Sequence, residues 1–269
     1  MSSKVTSPVV SPLFLLFLAV TLIAGTAGCR NDAALSASPS GNVTDTSPAA
    51  PQGQTVFSVH YAFDEASGAT AFNSDGPGYD GIIYGASRTT GKVGGALQFG
   101  ASGAYMETPP GSGIIPTADF STGCVSIGAW LNLDDVPCGP CEIIGSGYYG
   151  VRCLCLQLNG GKLEFLLADS FNNWDTVILG ERALTRGAWH QVSITYDGST
   201  AIVYIDGTED SRRTVSFAVP GNCNKLYVGA AVTSTFSLTN LLPGRLDELR
   251  IAAKVWSPAE IAAYYNSTK

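Results

Sequence analysis

The sequence predicts an all-β domain, a two-sheet antiparallel sandwich or jelly roll closed by one short C-terminal helix. Three observations carry that expectation. Runs of alternating apolar and polar residues recur about every 8–14 residues, with turn residues between them. No segment has the spacing of a strand–helix–strand unit. The 269 residues include 31 glycines and only 14% charged residues, which suits many short strands joined by turns.

The elements follow in chain order. Val56 to Phe63 (VFSVHYAF) places Phe57, Val59, Tyr61 and Phe63 on one face of a half-buried strand. The polar run from Asp64 to Gly68 breaks it. Strands are expected next at Tyr79–Gly85, Gly94–Phe99 and Ala104–Thr108, then at Cys124–Leu133, Glu142–Ser146, Arg152–Leu158, Lys162–Ala168 and Thr176–Gly180. Ala188 to Gly207 (AWHQVSITYDGSTAIVYIDG) reads as a hairpin. Trp189, Gln191, Ser193 and Thr195 alternate with His190, Val192, Ile194 and Tyr196, and Gly198 supplies the positive φ of a tight turn. Ser211–Val219, Lys225–Ala230 and Arg245–Ala252 complete the strands. The helix is Ser257–Asn266: Ser257 caps it, Pro258 takes the first helical position and Glu260 closes a capping box. Ile261 and Tyr264 or Tyr265 would dock it. Trp130 and Trp189 sit inside alternating strands and read as core anchors.

Several segments carry a family likeness. The opening FDE at 63–65, the strand DGIIY at 80–84, the strand GGALQF at 94–99, the WHQ hairpin and the strand GRLDELRI at 244–251 together resemble the laminin-G-like jelly rolls of the concanavalin A-like lectin/glucanase superfamily. The likeness runs from about Val56 to Asn266. It implies a concanavalin A-like jelly roll and leaves function open, since lectins, enzymes and adhesion modules share that fold.

Before this domain the chain reads as export machinery. Lys4 and the apolar run Leu13–Ile23 have signal-peptide proportions. Thr26-Ala27-Gly28-Cys29 resembles a bacterial lipobox, with Thr26 where an aliphatic residue is usual, and implies lipidation at Cys29. An ordinary secretory signal or an uncleaved anchor are the alternatives; each exports the domain to the cell surface or medium. Residues 30–54 hold no aromatic residue and cannot bury enough apolar surface to fold, so they read as a tether spanning roughly 25–30 Å. The division is therefore 1–28 signal, 29–54 tether and 55–269 domain. The net charge of −7, without a basic cluster, excludes a nucleic-acid footprint.

Six cysteines follow Cys29. In an exported domain they favour disulfides. A Cys124–Cys223 bridge is the first expectation, with Cys138 and Cys141 joining Cys153 and Cys155; zinc held by those last four thiolates is the rival. Cys138-Gly139-Pro140-Cys141 spells a redox motif, but a strand pattern follows it where a helix N-terminus would be needed to lower a thiol pKa.

Asp247 shares strand parity with Leu249 and Ile251, so its carboxylate would face an apolar side and need donors or a cation. The resemblance implies a structural calcium ion with Asp64, Asp80 and Asp247 as ligands; simple turn and backbone hydrogen bonding is the alternative.

For catalysis the sequence offers no ExDxE run, no HExxH and no Ser/His/Asp arrangement. Binding is the better expectation. Tyr148 and Tyr149 sit between glycines, and Phe171, Asn172, Asn173 and Trp174 combine aromatic faces with amides suited to sugar rings and hydroxyls. The function expected is a non-catalytic carbohydrate-binding module on a lipid anchor. A protein-binding adhesion module is the alternative, and a glycan-processing enzyme the more distant one.

Overall fold

The structure, a computed structural model, describes residues 58–100, 103–108, 123–146, 153–168, 174–215, 217 and 225–269. The signal and tether, with Cys29, lie outside the described residues.

Two eight-stranded sheets pack face to face. The first contains β1 (Ser58–Tyr61), β4 (Ser87–Thr90), β5 (Gly95–Gln98), β7 (Val125–Leu133), β12 (Trp189–Tyr196), β13 (Thr200–Ile205), β14 (Thr208–Thr214) and β18 (Gly244–Ala252). Its order is β14-β13-β12-β7-β18-β5-β4, and β1 pairs with the C-terminal half of β18. The second contains β2 (Thr70–Ala71), β3 (Gly81–Tyr84), β6 (Tyr105–Glu107), β8 (Pro140–Gly145), β9 (Leu154–Asn159), β10 (Lys162–Ala168), β11 (Trp174–Ala183) and β15 (Tyr227–Val228). Its order is β11-β10-β9-β8-β15-β6-β3-β2. A small hairpin, β16 (Ala231–Val232) with β17 (Leu238–Thr239), and helix α1 (Pro258–Thr268) complete the elements. The antiparallel sandwich and its C-terminal helix are as the sequence predicts.

Alternation builds the core. Val125, Ile127, Ala129 and Leu131 of β7 and Val192, Ile194 and Tyr196 of β12 face Ile143, Leu154, Leu156, Phe165 and Val228 of the other sheet. The β12–β13 turn closes as expected: Gly198 has φ 88°, and Asp197 Oδ1 accepts the amides of Ser199 and Thr200 at 2.8 and 2.6 Å. The strands β2, β4, β16 and β17 carry too few apolar residues to announce themselves.

Two core assignments change. Trp130 is buried, but on the outer face of the first sheet. There it stacks on Tyr265 of α1 at 5.7 Å and donates Nε1–H to Thr268 Oγ1 at 3.1 Å. Trp189 is only half-buried, with the Arg245 guanidinium 5.2 Å from its ring.

Candidate functional site

The outer face of the second sheet collects aromatic rings from three strands distant in sequence. In β3, Ile83 points into the core and Tyr84 outward; in β6, Met106 is inward and Tyr105 and Glu107 outward; in β15, Val228 is inward and Tyr227 outward. Pairing of β3 with β6 and of β6 with β15 sets the rings side by side. Tyr84 and Tyr105 stack at 4.8 Å between centroids, and Tyr105 meets Tyr227 at 6.1 Å. Glu107 anchors the group: Tyr84 donates its hydroxyl to Oε1 at 3.1 Å, and Lys225 Nζ pairs with Oε2 at 3.0 Å. Beyond it rises the β16–β17 hairpin, whose Phe236 is 67% exposed with φ 59°. Rings, ion pair and hairpin enclose a groove of about 310 Å³ lined by Tyr105, Glu107, Lys225, Tyr227, Phe236 and Leu238, with Val232 below. Flat rings beside fixed polar groups, on a rigid sheet, suit a ligand with apolar ring faces and hydroxyl edges.

A polar row continues across the same face. Glu142 of β8 stands opposite Gln157 of β9, which stands opposite Glu164 of β10. Glu164 is held by Gln157 Nε2 at 2.8 Å, Asn159 Nδ2 at 3.1 Å and Thr176 Oγ1 at 2.9 Å. Glu142 Oε1 is buried without a hydrogen-bond partner. Burial pushes the Glu142 carboxyl up to about 7, against a lowering hydrogen bond with Cys155.

The residues expected to bind sugar fall in or beside the segments joining β8 to β9 and β10 to β11. Tyr148, Tyr149, Phe171, Asn172 and Asn173 lie outside the described residues, and of Trp174 only the backbone is placed, opposite Ala168 at the start of β11. The strands carrying both loops end together, since Ala168 N donates to Cys153 O at 3.1 Å. The tyrosine row itself escaped the sequence reading, because nothing local says that β3, β6 and β15 are neighbours.

The expected metal ligands do not converge. Asp247 faces Trp130 in register, and a bulge between Asp247 and Arg250 gives Glu248 φ 54° and resets the alternation. The parity with Leu249 and Ile251 is thereby broken. Asp247 Oδ2 accepts the amides of Lys92 and Val93 at 2.8 and 2.9 Å, while Oδ1 is buried and unpartnered. Asp64 accepts from Gly95 N at 2.7 Å, on the same turn; Asp80 is spent elsewhere, on Asn73 N at 2.9 Å. The carbonyls of Phe63, Gly68 and Thr70 beside Asp64 already receive the Arg88 guanidinium. Among the described residues no group of three or more His, Cys, Asp or Glu side chains could share one ion. The three carboxylates therefore do not fit a common calcium site.

Part of the cysteine pairing is corrected: Cys138, Cys141 and Cys155 are free thiols, so the bridges expected from Cys138 and Cys141 to Cys153 and Cys155 do not form. Cys124 and Cys153 are disulfide-bonded. Cys141 points into the core while Cys155 lies on the outer face, so neighbouring strands hold them on opposite sides. That geometry also separates the four thiols of the zinc alternative. Cys223 lies outside the described residues.

A chain of hydrogen bonds not anticipated runs Thr185 Oγ1–His190 Nε2 (2.7 Å) and His190 Nδ1–Asp206 Oδ2 (2.9 Å). Nε2 also accepts Thr185 N, and Asp206 Oδ1 accepts Gln191 N. Its atoms thus tie two turns to β12.

The comparisons agree with this architecture. The family model described as the concanavalin A-like lectin/glucanases superfamily matches residues 101–262, more than half of the chain. Among solved structures, similarity extends to domain 4 of AbnA, an extracellular GH43 arabinanase of Geobacillus stearothermophilus in complex with arabinotriose. The identity is 18%, with 77% of this chain and 97% of that one covered and a TM-score of 0.59. The binding domain of botulinum neurotoxin DC in complex with rat synaptotagmin II matches at 15% identity, covering 78% and 51%, TM-score 0.60. A mutant Trypanosoma rangeli sialidase displaying trans-sialidase activity matches at 17%, covering 78% and 33%, TM-score 0.58. At these identities the likeness is one of fold. No curated protein matches the sequence.

Proposed function

The chain belongs to the concanavalin A-like lectin/glucanases superfamily, and on that footing we propose that it is a non-catalytic carbohydrate-binding module whose ligand lies along the outer face of the second sheet. The observation that carries this reading is the side-by-side setting of Tyr84, Tyr105 and Tyr227 around the Glu107–Lys225 pair. Sugar rings stack on such faces, and the ion pair offers both an acceptor and a donor to hydroxyls. Tyr148, Tyr149 and Phe171 to Trp174, which the sequence offers as sugar contacts, belong to the same proposal. The arabinotriose complex of the arabinanase domain makes arabino-oligosaccharides the first ligands to try.

A glycan array and calorimetric titration of the purified chain test this. Tyr84→Ala with Tyr105→Ala should weaken binding tenfold or more, as loss of central aromatic contacts does, and Trp174→Ala should weaken it less. Undiminished binding in the double variant refutes the face. A chain that binds no glycan, yet captures a protein ligand through Phe236, supports the second reading, an adhesion module; the exposed Phe236 and the toxin domain's complex with synaptotagmin favour that one. Export and display through a lipidated Cys29 belong to the same proposal. Palmitate labelling abolished by Cys29→Ser supports them, and unchanged labelling removes the anchor.

A further inference from the structure

The groove beside the tyrosine row draws its lining from two separate elements. The sheet supplies Tyr105 and Tyr227, and the β16–β17 hairpin supplies Phe236 and Leu238, with Val232 at the base. Tyr105 is covered on one face by Tyr84, 4.8 Å away. Phe236 stands 67% exposed, and the Glu107 and Lys225 side chains keep 15% and 20% of their surface open. A molecule in the groove can reach all three.

Phe236 is held in place against a backbone preference. Its φ of 59° lies in the left-handed region, which a bulky side chain rarely adopts. The turn fixes that angle. Phe236 N donates to Thr233 O at 3.0 Å, Thr233 N to Ser237 O at 2.9 Å, and Ser237 N to Thr233 Oγ1 at 3.1 Å. The base of the hairpin is fixed too: Ala231 pairs with Thr239 and Val232 with Leu238, and Asn240 O accepts Glu142 N at 2.7 Å. Strain that the surroundings over-determine in this way clusters at ligand clamps. Glycine would fill the same turn without strain; what phenylalanine adds is the ring.

The chemistry of the lining divides by position. Among the described lining residues the charged groups are Glu107 and Lys225, paired at 3.0 Å, and the rest are aromatic or aliphatic. A sugar ring seated between sheet and hairpin therefore meets apolar surface on both faces and polar groups at its edge. A pyranose with every substituent equatorial has that form, with C–H groups on both faces and hydroxyls around the rim. An axial hydroxyl would press on an apolar wall without a hydrogen-bond partner, which is unfavourable. The Glu107–Lys225 pair is neutral overall and selects no anion. We infer that Phe236 is the specificity-determining residue of the groove, and that its ligand is a neutral, β-linked glycan of gluco or xylo configuration with one ring held between Phe236 and Tyr105. This rests on the outer face of the second sheet being the sugar site proposed above.

Calorimetric titration of the full chain with β-linked tetraoses of glucose, xylose, mannose and galactose, and with arabinotriose, tests it. Mannose and galactose each differ from glucose by one axial hydroxyl. The glucose or xylose tetraose should bind about tenfold or more tightly than the other three, the penalty of one unpaired hydroxyl. Phe236→Gly removes the ring and relieves the backbone, so the melting temperature should hold or rise while that affinity falls about tenfold and the preference disappears. Phe236→Tyr keeps a ring and should keep the preference. A preference smaller than tenfold, tightest binding by an axial sugar or by arabinotriose, or a preference that survives Phe236→Gly overturns the inference. In those cases the sugar face itself still stands if Tyr84→Ala with Tyr105→Ala abolishes binding. If no glycan binds, or the double tyrosine variant binds as the native chain does, the face falls and the inference with it.

Discussion

The Glu142 carboxyl lies over Gly145: a Cβ at that glycine would come within 2.4 Å of Oε1 and 3.3 Å of the Cys155 Cβ. The bulge between Glu142 and Ile144 brings the two together on one face. Gly145 is thus required by its neighbour and not by its backbone angle. Gly145→Ala should destabilise the domain by about 1–3 kcal/mol in urea unfolding, as overpacking does. Glu142→Ala should relieve most of that cost in the double variant. Simple additivity of the two substitutions would show that they do not meet.

The same burial predicts an unusual pH dependence. Burial raises the Glu142 carboxyl from 4.5, and the Asp247 carboxyl from 3.8, each to about 7; at Asp247 the amides of Val93 and Lys92 oppose the rise. Between the unfolded and folded pKa values the native state binds protons that the unfolded chain has released. Stability is then greatest near the acid end of that window and falls as pH rises through about 7. Glu248 acts in the other direction. Burial would raise its pKa, but hydrogen bonds from His60 and Tyr264 outweigh burial and hold it below 4.5, so stability declines again in strong acid. The urea midpoint should peak near pH 5 and drop by pH 8, and Glu142→Gln should flatten the upper limb. A midpoint that climbs from pH 5 to 8 contradicts the assignment.

What the sequence discloses here is what is local. The β12–β13 hairpin is written in the period-2 pattern and the Asp197–Gly198 turn, and the helix in Ser257, Pro258 and Glu260. Strand adjacency is not local. Tyr84 and Tyr105 are separated by a whole β-hairpin connection, and Tyr227 comes from the far end of the chain, so the aromatic row exists only once β3, β6 and β15 pair. The bulge at Glu248 is equally silent, since it inverts the parity of Asp247 without changing the pattern of residues around it. Trp130 alternates as a core residue would; its burial comes from α1, packed on the outside.

Removing metal should have no effect on this chain. Asp64 and Asp247 each already accept amides of the Gly91–Gly95 turn, and Asp80 is occupied by Asn73. Melting curves in EDTA and in added calcium should superimpose. A rise in melting temperature with calcium that Asp247→Asn abolishes would restore the ion. Gly91→Ala tests the turn itself: its Cβ would fall 2.1 Å from Gly95 O and 2.6 Å from Asp247 Oδ2, and a loss of about 2 kcal/mol or more is expected.

The thiols should differ sharply in reactivity. Cys138 is exposed. Burial pushes the Cys141 thiol up to about 12, and burial with the nearby Glu142 charge holds Cys155 well above its usual range, so neither supplies thiolate at neutral pH. Maleimide labelling of the native chain should lose one fast equivalent on Cys138→Ser and none on Cys141→Ser or Cys155→Ser. In denaturant both buried thiols should react.

The helix offers the sharpest local test. Ser257 Oγ accepts the Glu260 amide at 3.2 Å and Glu260 Oε2 accepts the Ser257 amide at 2.7 Å, while Glu260 Oε1 also holds Lys254. This reciprocal cap satisfies amides that the first turn cannot pair internally. Ser257→Ala should cost about 1 kcal/mol. Because Tyr265 and Thr268 pin the far end of α1 to Trp130, the loss should be confined to the first turn. Hydrogen exchange should quicken at residues 259–262 and stay unchanged in β7 and β12. Faster exchange in β7 and β12 to the same degree would mean that α1 and the first sheet unfold as one unit.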